Sequence, residues 1–167
     1  AAFRAADLGL KVALVERWQT LGGVCLNVGC IPSKALLHAA KVIEDASAMA
    51  AHGVEFGAPK IDAARLRDWK NKVVGRLTSG LTGLARQRKV TVIRGVAVFA
   101  GTHAVKVTGE DGNGQHVTFA HCVIAAGSES MRLPGLPDDP RIIDSTGALE
   151  LDLPRRMLVV GGGIIGL

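Results

Sequence analysis

Four apolar residues, Met157, Leu158, Val159 and Val160, run directly into Gly161-Gly162-Gly163-Ile164-Ile165-Gly166. This G-x-G-x-x-G spacing narrows the folds open to the chain more than any other feature. In a strand-turn-helix unit the first glycine permits a tight turn. The second, Gly163, lets main chain approach a pyrophosphate, and the third, Gly166, lets the helix pack close to the sheet. The pattern therefore points to an α/β fold whose parallel strands are covered on both faces. Alone it is a weak signal, because an ordinary glycine turn can carry the same residues and the chain stops at Leu167 before a confirming helix and acid.

The other end complements it. Residues Ala1 to Leu8 are helix formers with no N-cap before them, and Gly9 supplies a stop. Lys11-Val12-Ala13-Leu14-Val15-Glu16 then reads as a short buried strand ending in an acid. In dinucleotide-binding folds such an acid closes the second strand, about 20 residues after the glycine fingerprint, and accepts the ribose hydroxyls. Counting back from Glu16 by that interval lands before Ala1. The expectation is two nucleotide-binding modules in series, with the first strand and glycine turn of the first module upstream of this chain.

Composition permits this and removes competitors. With 48% hydrophobic and 21% charged residues the chain can form a core and is too apolar for a disordered tail. No apolar run reaches the roughly 18 residues of a membrane span. Arg4 and Asp7 break the start of any signal-peptide pattern, so a cytoplasmic location is expected. The net charge of +5 comes from basic residues scattered among acids, dense only at Arg86 to Lys89, which argues against a nucleic-acid partner.

Between the ends, a helix is expected from near Cys30, with Pro32 in its first turn and Leu36, Leu37, Ala40 and Ile43 on its apolar side. A second spans Asp62 to about Arg88, with a core stripe of Leu66, Trp69, Val73, Leu77, Leu81 and Leu84. Val90 to Ile93 reads as a strand, and Val96 to Phe119 as antiparallel β segments broken by glycine turns. Cys122 to Ala126 reads as another buried parallel strand ending at Gly127, and Met131 to Pro140 as a connector.

Chemistry concentrates in Gly22-Gly23-Val24-Cys25-Leu26-Asn27-Val28-Gly29-Cys30-Ile31-Pro32-Ser33-Lys34. The two cysteines are too far apart for the usual zinc pair, and no second pair completes four ligands. A disulfide across four residues is feasible, and in a cytosolic setting such a pair is more often catalytic or redox-sensing than structural. The positive end of the helix starting near Cys30, with Lys34 one turn in, would lower a thiol pKa. A non-catalytic redox or metal-binding module stays open on these residues alone.

The block matches G-G-[TV]-C-x-N-x-G-C-x-P-[SK]-K at every position and resembles the pyridine nucleotide-disulfide oxidoreductases, flavoenzymes that include glutathione reductase and mercuric reductase. The Leu26 and Ile31-to-Leu37 version is similar to the branch that oxidises dihydrolipoamide. Ala125-Ala126-Gly127-Ser128, Leu133-Pro134-Gly135, Ser145-Thr146-Gly147-Ala148-Leu149 and the terminal glycine turn extend the likeness over nearly the whole chain. Ala126 stands where the family more often has threonine, which removes a hydroxyl and leaves the backbone approach intact.

The resemblance implies an FAD-binding Rossmann-like three-layer domain over 1–147, a parallel sheet plus an antiparallel β meander, and the start of an NAD-binding domain over 148–167. It implies that Glu16 holds the adenosine ribose of FAD, and that Gly22, Gly23, Cys25, Cys30 and Lys34 line the flavin. Ala97, Ala126 and Gly127 would approach it by main chain, and Gly161, Gly163 and Gly166 would cradle NAD. Cys25 would be the interchange thiol and Cys30 the thiol facing the flavin, the two forming a redox-active disulfide. Dihydrolipoyl domains of 2-oxoacid dehydrogenase complexes and a second copy of the full-length protein would be the partners. The family's catalytic histidine and glutamate lie near its C-terminus, so none of His38, His52, His103, His116 and His121 is given that role, and the 167-residue piece is expected to be inactive. Cys122, in an apolar stretch, is expected to be a small core residue.

Overall fold

The computed structural model describes residues 1–166. Helix α1 (Ala2–Asp7) ends as its sequence demands. Gly9 has φ +84°, its N–H donates to the Ala6 carbonyl at 2.9 Å and that of Leu10 to the Ala5 carbonyl at 3.1 Å. This paired closure needs a left-handed residue at Gly9. Strand β1 (Ala13–Glu16) follows, then α2 (Gly23–Val28), α3 (Cys30–Ala48) and a 3₁₀ turn (Met49–His52). The long helix α4 (Ala63–Gln87) leads to β2 (Thr91–Arg94), β3 (Val96–Gly101), β4 (Ala104–Thr108) and β5 (Gly114–Thr118), and α5 (Ser145–Ala148) comes last.

The chain forms two compact units, 1–23 with 77–127 and 24–76 with 128–167. In the first, β1 and β2 pair in parallel, Ala13 opposite Thr91 and Glu16 opposite Arg94. Strands β3, β4 and β5 form an antiparallel meander. The core gathers on Leu21, Ala85 and Val90, with Phe3, Ala6, Val12, Leu14, Leu81 and Val92 packed around them. Val105 and Val107 are buried within the meander. The predicted α/β class, the parallel pairing and the meander all hold.

Three expectations do not. Cys122 to Ala126 does not join β1 in a parallel sheet, whose two strands are β1 and β2. That stretch lies outside any strand, with Val123 71% and Ile124 74% exposed, and Cys122 is exposed too. Met157 to Val160 is likewise unpaired and exposed. An apolar run states only that a segment can be buried; pairing needs a neighbouring strand edge, and among the described residues none reaches these two. Third, the stripe read on α4 holds only in part: Leu66, Val73 and Leu81 are half-buried and Leu81 packs on the core, but Trp69, Leu77 and Leu84 are exposed, and Lys70, Thr78 and Ala85 are the buried residues of the helix. On α3, similarly, Leu37, Ala40 and Ile43 are exposed and Pro32 is the buried residue.

Candidate redox site

In the second unit the two cysteines flank a break between helices. Cys25 is the third residue of α2 and Cys30 the first of α3, with Gly29 between the two helices at φ −133°, ψ −123°. Gly29 is forced: a Cβ there would lie 2.9 Å from the Val24 carbonyl oxygen and 3.1 Å from Cys25 Cα. Its carbonyl accepts the Ser33 N–H at 3.1 Å and the Ser33 hydroxyl at 2.8 Å, which closes the first turn of α3. Pro32, with no N–H to leave unpaired, sits in that same turn. Leu26 is buried and anchors α2, so the sharp turn at Gly29 brings the two thiols together.

Both cysteines are free thiols and exposed. They are hydrogen-bonded to one another, and this bond is the main reason the Cys25 thiol is held above its ordinary pKa. Desolvation and the Cys30 charge push the same way; a hydrogen bond from the Cys30 main chain and, more weakly, the Lys34 charge oppose them. At Cys25 the neighbouring sulfur thus outweighs the more distant Lys34 charge. Lys34 itself is exposed on the first turns of α3. The arrangement gives two accessible sulfurs, close enough to share a hydrogen bond, which are the elements of a reversible dithiol–disulfide couple.

In the first unit, Glu16 ends β1 and is half-buried. Its Oε1 accepts the Trp18 N–H at 3.1 Å, and its carbonyl accepts the Gly95 N–H at 3.0 Å. Arg94 Nη1 donates to the Trp18 carbonyl at 2.7 Å, so the end of β2 holds the turn after Glu16. One carboxylate oxygen is committed to that turn, and Oε2 keeps lone pairs for a vicinal diol. Gly22 and Gly23 have φ +121° and +60°, and a Cβ at Gly23 would meet nothing within 4 Å. Ala97 lies on β3 opposite Val107 and is exposed. Ala126 and Gly127 follow in the unpaired stretch, Gly127 at φ +77°. A carboxylate at a strand end and left-handed glycine backbone suit a dinucleotide's ribose and phosphates.

The terminal glycine turn forms without the paired strand expected before it among the described residues. Gly161 has φ +114°, and Gly166 donates to the Gly163 carbonyl at 3.0 Å. A Cβ on Gly166 would run into the Gly161 carbonyl, whereas one on Gly163 would meet nothing. Among the described residues no three His, Cys, Asp or Glu side chains are grouped to hold a metal ion, and no helix is long and apolar enough to cross a membrane.

The chain is 59% identical to the dihydrolipoyl dehydrogenase of Vibrio parahaemolyticus and 45% identical to that of Geobacillus stearothermophilus, in each case over its whole length and 35% of the relative. It therefore spans about a third of the curated relatives it matches. Among solved structures it resembles the HOCl-induced flavoprotein disulfide reductase RclA from Escherichia coli, with a TM-score of 0.72 and 28% identity over 90% of this chain and 31% of that one. The family model for pyridine nucleotide-disulphide oxidoreductases matches residues 1–167, so the chain belongs to that family.

Proposed function

We propose that the protein carrying this chain is a dihydrolipoyl dehydrogenase, oxidising protein-bound dihydrolipoamide to lipoamide with FAD as prosthetic group and NAD as acceptor. The observation that carries this is the accessible Cys25–Cys30 pair across the Gly29 break, in a chain this similar to enzymes of that name. Starting from a Cys25–Cys30 disulfide, one substrate thiolate attacks Cys25 Sγ. The Cys25–Cys30 bond breaks, a mixed disulfide forms at Cys25 and Cys30 leaves as a thiolate. The second substrate thiol then displaces Cys25, closing the lipoamide disulfide and leaving two electrons on the cysteine pair. When bound, FAD supplies a two-electron acceptor between these thiols and NAD.

On this reading Glu16 accepts the adenosine ribose hydroxyls, and Gly22, Gly23 and Lys34 line the flavin. Ala97, Ala126 and Gly127 meet it by main chain, and Gly161, Gly163 and Gly166 cradle NAD. The first 147 residues belong to the flavin domain and 148–167 open the nicotinamide domain. The full protein works as a cytoplasmic homodimer serving 2-oxoacid dehydrogenase complexes, and the 167-residue piece alone does not turn over.

The test is made on the full-length holoenzyme. Dihydrolipoamide should reduce the flavin anaerobically and yield NADH on addition of NAD. Cys25→Ser should stop exchange while keeping the long-wavelength thiolate–flavin absorption, and Cys30→Ser should lose both. Turnover retained in both variants would overturn the assignment.

A further inference from the structure

Lysine is almost never buried without a partner, yet Lys70, in the middle of α4, is 3% exposed. Its ammonium donates to the Leu149 carbonyl at 2.8 Å, and Glu150 Oε1 stands off at 3.9 Å. The close partner of this buried cation is thus a backbone carbonyl. One turn earlier on α4, Arg67 Nη1 donates to the next carbonyl, that of Glu150, at 2.9 Å. Residues three apart lie on one helix face, so α4 presents two cations to two consecutive carbonyls within the second unit.

Those carbonyls lie just past α5, where the last acceptors of a helix lack intrahelical partners and carry partial negative charge. The other end of α5 is pinned as well: the Asp144 carboxylate accepts the Thr146 and Gly147 N–H groups, both at 3.0 Å. Immediately beyond the held carbonyls, Leu151 adopts φ +56°. A left-handed conformation costs a non-glycine residue about 1–2 kcal/mol and persists only where its surroundings over-determine it. The carbonyls held by Lys70 and Arg67 are those of the two residues immediately before Leu151. The next ordered feature along the chain is the glycine turn at 161–166.

We infer that Lys70 and Arg67 are positioning residues for the nicotinamide half of the reaction. By holding the Leu149 and Glu150 carbonyls they set the left-handed turn at Leu151 and the course of the chain into the Gly161 turn, and they leave thiol–disulfide exchange at Cys25 and Cys30 alone. Nothing in the sequence pattern marked either residue, since a lysine on a helix reads as solvated. The inference rests on the function proposed above.

The experiment uses the full-length holoenzyme and treats the two half-reactions separately by stopped flow. Lys70→Met keeps the apolar stem and removes the ammonium; Arg67→Gln removes the second cation at a less buried position and serves if the first variant does not fold. Displacement of a binding segment by about an ångström can cost up to about 100-fold, so a fall of about tenfold or more is expected in NADH-driven flavin reduction and in NAD-driven reoxidation. Flavin content and reduction by dihydrolipoamide should stay within about twofold of wild type. Equal loss in both half-reactions, or loss of flavin, would show a merely structural tie and overturn the inference, as would no change in either. If wild-type enzyme were not reduced by dihydrolipoamide, the proposed substrate would fall, and the NADH half-reaction would still decide the role of Lys70 and Arg67.

Discussion

Replacement of Gly95 by alanine tests how the parallel pair is joined to the meander. Gly95 is buried between β2 and β3 at φ +145°, its N–H donating to the Glu16 carbonyl at 3.0 Å. A Cβ there would run into the Thr108 carbonyl oxygen and lie 2.8 Å from its carbon and 2.9 Å from Val107 Cγ1. Two costs add. The backbone region is essentially reserved for glycine, at about 1–3 kcal/mol for another residue, and overpacking against β4 costs about 1–3 kcal/mol more. The stiffer unfolded chain returns about 0.4–1 kcal/mol. The net expectation is a local destabilisation of about 1–5 kcal/mol, a rise of roughly 5- to 4,000-fold in the opening equilibrium and an equal loss of protection. Hydrogen–deuterium exchange of peptides covering 91–108 in the full-length protein reads this directly. Gly83→Ala is the matched control: a Cβ at this exposed position of α4 meets nothing within 4 Å, and it should gain helix stability. Protection in Gly95→Ala within about threefold of wild type, half a logarithm in the same equilibrium, would refute the steric argument.

Lys89 closes α4 with φ +54°, its N–H on the Arg86 carbonyl and that of Val90 on the Ala85 carbonyl, in the same motif that Gly9 and Gly53 close with glycine. Lys89→Gly should therefore stabilise the protein by about 0.5–1 kcal/mol, visible as a higher urea midpoint; an unchanged or lower midpoint would count against the strain. Gly29→Ala should force α2 and α3 apart and weaken closure of the Cys25–Cys30 disulfide about tenfold or more, a cost near 1.4 kcal/mol, measured against a glutathione redox series, with an unshifted equilibrium as the contrary result. The Ser130 hydroxyl and the Gly147 and Thr146 N–H groups hold the Asp144 carboxyl below the usual range. A depressed folded-state pKa stabilises the fold above the unfolded carboxylate pKa, and that contribution is lost as pH falls through the folded value. Ser130→Ala should move the acid loss of protection in 144–149 to higher pH, and identical acid profiles would remove the bond's role.

The redox block was legible in sequence because its chemistry is local. The spacing of Cys25 and Cys30, the obligatory glycine between them and Pro32 in a first helical turn are constraints within one short segment, and the structure keeps each of them. The same holds for the stop at Gly9, the acid ending β1 and the meander, whose turns and alternation are set by neighbours in sequence. What the sequence could not decide was which partner each apolar segment finds. Cys122 to Ala126 and Met157 to Val160 have the composition of buried strands and pair with nothing among the described residues, and the parallel neighbour of β1 is β2, with Ala13 opposite Thr91. Burial of a helix face is equally non-local: of the stripe predicted on α4, Leu66, Val73 and Leu81 are half-buried while Trp69, Leu77 and Leu84 are exposed, and the partner of Lys70 and the packing around Ala85 bury residues that the spacing did not mark. Local backbone chemistry is written in consecutive residues, whereas the choice of neighbour is a competition among distant surfaces that only the folded chain resolves.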